Sequence, residues 1–216
     1  MHTIEPLTYL VDGDGGALKD MARLLQAASL RVAAFDRTDG FLRAHDPAMP
    51  GCAVIDVRMP GLDGLALLRE LQQGGAGRAI VFVAGAGDVE LGVRAMKAGA
   101  VDFLIKPLEA GGFIAAVRHA LARDAHERAV RGELQRIRAH LDTLTRREQQ
   151  VLRHVVSGRL NKQIAFDLGI AEKTIKVHRA RVMEKMGATS LAQLVRETLE
   201  LEAGAVFDGV GVDKDA

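Results

Sequence analysis

Three charged side chains occupy positions at which a metal ion and a phosphoryl group can be bound. Asp12, Asp56 and Lys106 each come directly after a short apolar run that is typical of a strand. The carboxyl ends of neighbouring parallel strands meet at one edge of a sheet, which is where ligands bind in such folds. Two carboxylates and one ammonium group at that edge can hold Mg²⁺ and a phosphoryl group.

The elements that must position these residues alternate along the first half of the chain. Runs typical of strands are Leu7–Val11, Leu30–Phe35, Ala53–Ile55, Ala79–Val83 and Val101–Ile105. Segments of helical period are Leu18–Ala28, Gly40–His45, Leu62–Gln72 and Val89–Ala98. Most of the strands are almost continuously apolar, as a parallel sheet covered on both faces requires. The pattern predicts an α/β fold with a doubly wound, five-stranded parallel sheet.

The second half has no run typical of a strand. A helical pattern extends from Phe113 to about Leu141, and four short helices are predicted between Leu144 and Leu201. Apolar spacing in the long helix allows a coiled-coil stalk or a helix that lies on its own domain. We predict an α/β domain at residues 1–122, a helical linker at 123–142, an all-α four-helix domain at 143–203 and a disordered tail at 204–216.

The charge is unevenly distributed between the two halves. Residues 146–185 carry ten basic and four acidic side chains, a net charge of +6, whereas residues 1–122 carry 12 basic and 14 acidic side chains, a net charge of −2. A local basic excess indicates a nucleic-acid partner, although a solvated basic face has the same composition.

Membrane and export signals are missing from the sequence pattern. No apolar run approaches the ~18–20 residues that span a bilayer, and Met1–Pro6 lacks the features of a signal peptide. The single cysteine, Cys52, cannot form a disulfide within the chain. We therefore expect a cytoplasmic protein with no membrane partner.

Residues 5–122 resemble the CheY-like receiver domains of two-component response regulators. The motifs that carry the resemblance are Val11-Asp12, Ile55–Gly64, Met96–Ala100 and Asp102–Pro107. The resemblance implies a phosphoacceptor and a partner sensor histidine kinase, a Mg²⁺ site, a cation for the phosphoryl group and an aromatic switch. Asp56 would be the phosphoacceptor, and Asp12, Asp56 and the backbone carbonyl of Arg58 would bind Mg²⁺. Lys106 would be the cation, and Phe103 the aromatic switch. A cis peptide bond is expected between Lys106 and Pro107.

Two positions depart from the receiver pattern. The family has a second acid after the first strand and a hydroxyl residue after the fourth, where this chain has Gly13 and Ala84. Asp14 is the candidate replacement for the missing metal ligand, because the glycines around it make the loop pliable. The changed site predicts poor phosphorylation of Asp56.

Residues 144–201 resemble the LuxR-class helix-turn-helix, and the joint layout is that of the FixJ/NarL family. The matching motifs are Leu144–Glu148, Val151-Leu152, Gly158, Asn161–Ala165, Leu168–Ile170, Thr174–His178 and Lys185–Gly187. Thr145 and Glu148 also have the form of a capping box. The resemblance implies a transcriptional regulator that binds double-stranded DNA.

Helix geometry identifies which side of the predicted helix Glu172–Met186 can contact DNA. At about 100° per residue, Ile175, His178, Val182 and Met186 share the side that faces the core. The opposite side can enter the major groove, where Lys176 can reach guanine and Val177 a thymine methyl. The full set of DNA-binding candidates is Arg159, Lys162, Lys173, Thr174, Lys176, Val177, Arg179, Ala180 and Arg181. Of these, Arg159, Lys162 and Arg179 are better suited to phosphates.

The resemblance also implies a homodimer that uses Val93 and Lys97, with the long helix as the rival interface. One alternative is a DNA-binding regulator that works without phosphorylation and uses its receiver only as a dimerisation scaffold. A remote alternative is a phosphatase of the haloacid dehalogenase type, because Asp12-Gly13-Asp14 has the D-x-D form. Gly16 does not fit the phosphatase pattern, so we expect a regulator and not an enzyme.

Overall fold

The computed structural model describes residues 4–59, 71, 77–86 and 88–207. The chain divides into two compact units between Arg128 and Ala129. Each unit has hydrophobic core clusters of its own. Within the described ranges, no helix is both long and apolar enough to cross a membrane.

The first unit contains a five-stranded parallel sheet with the strand order β2-β1-β3-β4-β5. Its elements are β1 (Leu7–Val11), α1 (Gly15–Ala27), β2 (Arg31–Phe35), α2 (Thr38–Ala44), β3 (Gly51–Asp56), β4 (Ala79–Ala84), α3 (Val89–Lys97), β5 (Asp102–Ile105) and the start of α4 (Ala110–Asp142). The predicted doubly wound sheet is confirmed. The helix predicted at Leu62–Gln72 lies, apart from Leu71, outside the described residues.

The continuous apolar runs arise because the central strands are buried on both faces. Every residue of β4 is buried, as are the first five of β3. On one face, Ile55 and Phe82 pack with residues of α2 and α3, including Phe41 and Ala95. On the other face, residues of α1 and α4 cover the sheet, among them Leu25, Phe113 and Val117. Because all five strands are parallel, the loops at their carboxyl ends lie at one edge of the sheet.

Helix α4 begins three residues before the predicted start. Glu109 caps it by accepting hydrogen bonds from the N–H groups of Gly111, at 2.9 Å, and Gly112, at 2.6 Å. Two consecutive glycines argue against a helix when only propensity is considered. The cap satisfies the free N–H groups of the first turn and offsets that cost.

Side chains of α4 belong to both units. Arg128 donates to the carbonyl groups of Pro47, Ala48 and Met49 and pairs with buried Asp124 at 2.8 Å, which attaches this part of the helix to the first unit. Further along, Ile137 is fully buried in the core of the second unit. The segment 123–142, expected to connect two domains, is helical, and its side chains pack on one unit or the other.

The second unit consists of the end of α4 followed by α5 (Arg146–Val156), α6 (Asn161–Leu168), α7 (Glu172–Met186) and α8 (Leu191–Phe207). All four helices were predicted from the sequence. Gly169 and Gly187 end α6 and α7 with φ values of 63° and 65°, a left-handed conformation that favours glycine. Helix α8 continues to Phe207, so residues 204–207 are helical and not disordered as predicted. No proline interrupts the helix there. Residues 208–216 lie outside the described residues.

A capping box at the start of α5 confirms the prediction from Thr145 and Glu148. The Glu148 carboxylate accepts from the Thr145 N–H at 2.9 Å, and the Thr145 hydroxyl accepts from the Glu148 N–H at 3.3 Å. Buried Glu148 also receives a hydrogen bond from Lys185 of α7 at 2.7 Å. The Lys185 ammonium, followed by the backbone hydrogen bond, lowers the pKa of Glu148 to about 2. Glu148 therefore joins a local cap to the packing of two helices.

The substitution Glu148→Gln should lower the free energy of unfolding at pH 7 by roughly 2 kcal/mol, because it removes charge-assisted hydrogen bonds. A carboxyl with a depressed pKa in the folded state stabilises above its unfolded pKa of 4.5 and loses this contribution as the pH falls towards about 2. Urea unfolding at pH 7 and between pH 4.5 and 2.5 measures both effects. The control is Glu200→Gln, which removes an exposed pair with Arg196. Equal effects of the two variants would contradict this role of Glu148.

Candidate acid site and nucleic-acid interface

The three charged residues at the ends of β1, β3 and β5 meet at the carboxyl edge of the sheet, as expected from a parallel arrangement; Asp56 is the last residue of β3, and Asp12 and Lys106 directly follow β1 and β5. The ammonium nitrogen of Lys106 lies 2.6 Å from Oδ2 of Asp12 and 2.6 Å from Oδ2 of Asp56. Asp12 is 1% exposed and the Asp56 side chain 17%. Burial opposes the charge on Lys106, but its hydrogen bonds to Asp12 and Asp56 raise the pKa of Lys106 above its usual value. The site holds two carboxylates around one cation.

The strand order explains how Lys106 reaches Asp56. Strand β4 lies between β3 and β5 and ends at Ala84, which is completely buried. The Lys106 N–H donates to the Ala84 carbonyl at 2.8 Å, so the backbone of β5 stays paired up to the site. The peptide bond between Lys106 and Pro107 is cis, as expected.

Asp14 has a structural role in this arrangement. Its Oδ1 accepts hydrogen bonds from the N–H groups of Gly16, at 2.8 Å, and Ala17, at 3.2 Å, and thereby caps α1. These backbone hydrogen bonds, that of Ala17 first, lower the pKa of Asp14. Sequence reasoning offered Asp14 as the replacement metal ligand; in the structure one of its two carboxylate oxygens, Oδ1, caps α1.

The donor set suits a magnesium ion only in part. Asp12 and Asp56 would supply carboxylates to such an ion, and the main chain at Arg58 would supply a carbonyl. Mg²⁺ in proteins is commonly held by one or two carboxylates together with substrate phosphate and water. In the part of the chain that the structure describes, no group of three or more His, Cys, Asp and Glu residues is arranged for a metal ion. The set is therefore one carboxylate poorer than the receiver pattern implies.

Phe103, the candidate switch residue, lies half-buried against the core and next to α3. A Cβ atom at position 92 would lie 2.8 Å from Cδ1 of the Phe103 ring, which is closer than such atoms approach in proteins. The ring can occupy this position because residue 92 is glycine. A glycine inside a helical pattern was the sequence signal for such a contact, and the sequence analysis did not use it.

An ion pair between Arg58 and Asp88 was also not predicted. The Arg58 Nε lies 3.0 Å from Oδ2 and 3.1 Å from Oδ1 of Asp88, and Nη2 makes a further short contact with Oδ1. This hydrogen bonding raises the pKa of Arg58. The pair joins the loop after β3 to the segment between β4 and α3. Neither residue has a partner that sequence spacing would reveal.

Helix α7 has the two sides that its sequence predicted. Ile175, Val182 and Met186 are fully buried, and His178 is half-buried with no hydrogen-bond partner at Nδ1 among the described residues. The exposed candidates are Lys173, Thr174, Lys176, Val177, Ala180 and Arg181. Ala171 precedes the helix without a side-chain cap. The exposed side presents two lysines, an arginine and apolar groups to solvent.

The candidates for phosphate contacts differ in their present partners. Arg179 donates to the Asn161 side chain at 3.2 Å, and Arg159 lies 3.3 Å from Asp167. Lys162 is exposed on α6. In the first unit, the dimer candidates Val93 and Lys97 are both exposed on α3.

A sheet with an acid site at its carboxyl edge, followed by a helical unit with an exposed basic helix, defines a receiver-linked DNA-binding regulator. The family profile described as response regulator receiver domain matches residues 9–118, and that of the bacterial regulatory proteins, luxR family, matches residues 142–198. The chain belongs to the FixJ-like response regulators, which are transcriptional regulators of two-component systems and not enzymes.

Similar proteins cover both units. The transcriptional regulatory protein FixJ of Azorhizobium caulinodans is 44% identical over 191 residues, which is 88% of this chain and 90% of the relative. The response regulator protein TmoT of Ectopseudomonas mendocina is 38% identical over 202 residues, with 94% and 92% covered. The solved structure of response regulator StyR has a TM-score of 0.82, 40% identity and coverage of 91% and 99%. Full-length FixJ from B. japonicum has a TM-score of 0.57, 38% identity and coverage of 93% and 99%.

The contact between Gly92 and Phe103 predicts an unusual response to an alanine substitution. Gly92→Ala should lower the free energy of unfolding by about 1–2 kcal/mol, because overpacking against the ring outweighs the higher helix propensity of alanine. Adding Phe103→Leu should restore most of this loss. The control Gly132→Ala, where nothing lies within 4 Å of the new Cβ, should stabilise by about 0.5–1 kcal/mol. Chemical denaturation measures all four proteins, and stabilisation by Gly92→Ala would disprove the contact.

Proposed function

We propose that Asp56 is the phosphoacceptor of this regulator and that a sensor histidine kinase is its phosphoryl donor. The observation that carries the proposal is the 2.6 Å contact of Lys106 with both Asp56 and Asp12. An Asp56 carboxylate oxygen attacks phosphorus while the bond to the donor imidazole nitrogen breaks. Lys106 then donates to a phosphoryl oxygen and neutralises part of its charge.

Receiver domains of this family generally bind Mg²⁺ at the phosphorylation site. We propose that Asp12, Asp56 and the carbonyl of Arg58 hold the ion here, which, when bound, neutralises the charge of the phosphoryl group. Gly13 removes one carboxylate, and Asp14 is engaged in capping α1. Phosphorylation is therefore slow.

The response to phosphorylation is also weak, because Ala84 has no hydroxyl group with which to contact the phosphoryl oxygens. A lost charge-assisted hydrogen bond is worth roughly 1.5–3 kcal/mol. That is comparable with the coupling free energy of a typical allosteric switch. The phosphorylated and free forms then differ little in dimerisation and in affinity for DNA.

Incubation with Mg²⁺ and acetyl phosphate tests this site. Intact mass should show a substoichiometric phosphoryl adduct that Asp56→Asn abolishes, with less than a tenfold change in DNA affinity. Gly13→Asp with Ala84→Thr should increase the adduct and the response, because it restores the missing carboxylate and hydroxyl. A stoichiometric adduct on the unaltered protein with a tenfold gain in DNA affinity would show that both substitutions are tolerated.

We propose further that the protein binds two DNA half-sites as a homodimer, and that the exposed side of α7 recognises the bases of each half-site. Lys176 and Val177 face base edges, supported by Lys173, Thr174, Ala180 and Arg181. Arg159, Lys162 and Arg179 contact phosphates. Dimerisation uses the face of α3 that carries Val93 and Lys97.

Substitutions of residues that contact bases and of residues that contact phosphates should affect DNA binding differently. Lys176→Ala should cost about 1–3 kcal/mol of specific binding and relax sequence preference, because a base contact is lost. Arg179→Ala should weaken binding to all sequences alike and reduce the salt dependence. Gel shifts with a selected site and a scrambled duplex at several salt concentrations distinguish them. Wild-type affinity in a Lys176→Ala, Arg181→Ala double variant would refute the assignment.

A second candidate is a regulator that needs no phosphoryl group and uses its receiver to dimerise. It is favoured by Gly13 and Ala84, which leave the acid site without the second carboxylate and the hydroxyl group of the family pattern. The acetyl phosphate experiment separates the two, since this candidate predicts no adduct at Asp56. Light scattering then measures the molecular mass of the Val93→Asp, Lys97→Glu double variant in solution, which should fall to that of a monomer. An unchanged dimer mass would show that the dimer contact lies elsewhere.

A further inference from the structure

The pair between Arg58 and Asp88 is unusual in the burial of its two members. The Asp88 side chain is 3% exposed, whereas that of Arg58 is 70% exposed. A buried carboxylate needs a partner, because an unpaired charge in the interior is costly. The exposed guanidinium is held only by this one carboxylate among the described residues, so it can move through solvent if Asp88 finds another partner.

Asp88 occupies the position that precedes the first turn of α3. Aspartate is a favoured capping residue, since its side chain accepts hydrogen bonds from free N–H groups of that turn. Here Asp88 makes no such bond, because its carboxylate is engaged by Arg58. Arg58 and the start of α3 therefore compete for the same carboxylate.

Arg58 is close to the acid site as well. Its backbone N–H donates to Oδ1 of Asp56 at 2.8 Å. The hydrogen bond and charge of Asp88 raise the pKa of the Arg58 guanidinium most, and the charge of Asp56 raises it further. The end of β4, next to β3, offers only the methyl group of Ala84. A phosphoryl group on Asp56 would bring roughly −1.5 to −2 charges, more than the single charge of Asp88.

We propose that Arg58 is a second cation for the phosphoryl group: on modification of Asp56, its guanidinium leaves Asp88 and donates to the phosphoryl oxygens, in place of the hydroxyl that Ala84 lacks. The inference rests on the proposed role of Asp56 as phosphoacceptor. A planar guanidinium suits such oxygens because it can donate two parallel hydrogen bonds.

The released carboxylate of Asp88 then caps α3, so the exchange carries a signal to the helix that presents Val93 and Lys97. Buried Asp88 keeps hydrogen-bond partners in both states, first the guanidinium and then the N–H groups of the first turn. Phosphorylation thereby keeps a weak coupling to α3 by a route that does not use residue 84, in agreement with the less than tenfold change in DNA affinity expected above.

The test uses the full chain with Mg²⁺ and beryllofluoride, an analogue that binds the acceptor carboxylate as a phosphoryl group does. Affinity is measured by titration for wild type, Arg58→Gln, Asp88→Asn and the double variant, with Asp56→Asn as the negative control. Arg43→Gln is the matched control, since it breaks another exposed arginine–aspartate pair in the same unit. Arg58→Gln should weaken binding about tenfold or more, as the loss of a charge-assisted hydrogen bond does.

The double variant separates a contact with the analogue from an effect through Asp88. In the Asp88→Asn background the ion pair is already gone, and Arg58→Gln should still weaken binding about tenfold. No further loss there would mean that Arg58 only positions Asp88, and would overturn the inference. Amide exchange of Glu90 and Leu91 should slow on addition of beryllofluoride in wild type but not in Arg58→Gln, and unchanged exchange in wild type would overturn the capping step.

Failure of the inference and failure of the proposed function give different results. Binding that Asp56→Asn abolishes but Arg58→Gln leaves unchanged would overturn the role of Arg58 alone. Absence of binding to wild type at Asp56 would overturn both.

Discussion

The ammonium group of Lys106 between Asp12 and Asp56 is the interaction around which the first unit is arranged. Each of these charges has been removed from most of the surrounding water, and removal of one partner would leave an uncompensated charge. Satisfying all of them requires the ends of β1, β3 and β5 at one edge, with β4 between.

The same edge shows how a receiver keeps its charges while losing parts of its switch. Asp12, Asp56 and Lys106 are present, but the second acid and the hydroxyl of the family pattern are replaced by Gly13 and Ala84. Two nearby carboxylates form other hydrogen bonds: Asp14 caps α1, and Asp88 accepts from Arg58. Of these groups, the exposed guanidinium of Arg58 is the one for which a phosphoryl group on Asp56 would compete with Asp88, as proposed above.

The second unit depends on buried acids that are each matched by a cation from another helix. Glu148 of α5 pairs with Lys185 of α7, and Glu197 of α8 pairs with Arg136 of α4. His140 also contacts the carbonyl of Met186 at 2.9 Å, near the end of α7. These contacts hold α7 against the core by its buried side, so that its basic side remains exposed.

The sequence alone determined the strands, the capping box at Thr145 and the two sides of α7, because each follows from local periodicity or from residues a few positions apart. It also located Asp12, Asp56 and Lys106, since the ends of parallel strands share an edge. Only the tertiary structure decided that Arg58 pairs with Asp88 and that Phe103 lies against Gly92. Those outcomes depend on side-chain conformations and on contacts between segments distant in the chain. Several partners compete there for the same group, and no spacing rule selects among them.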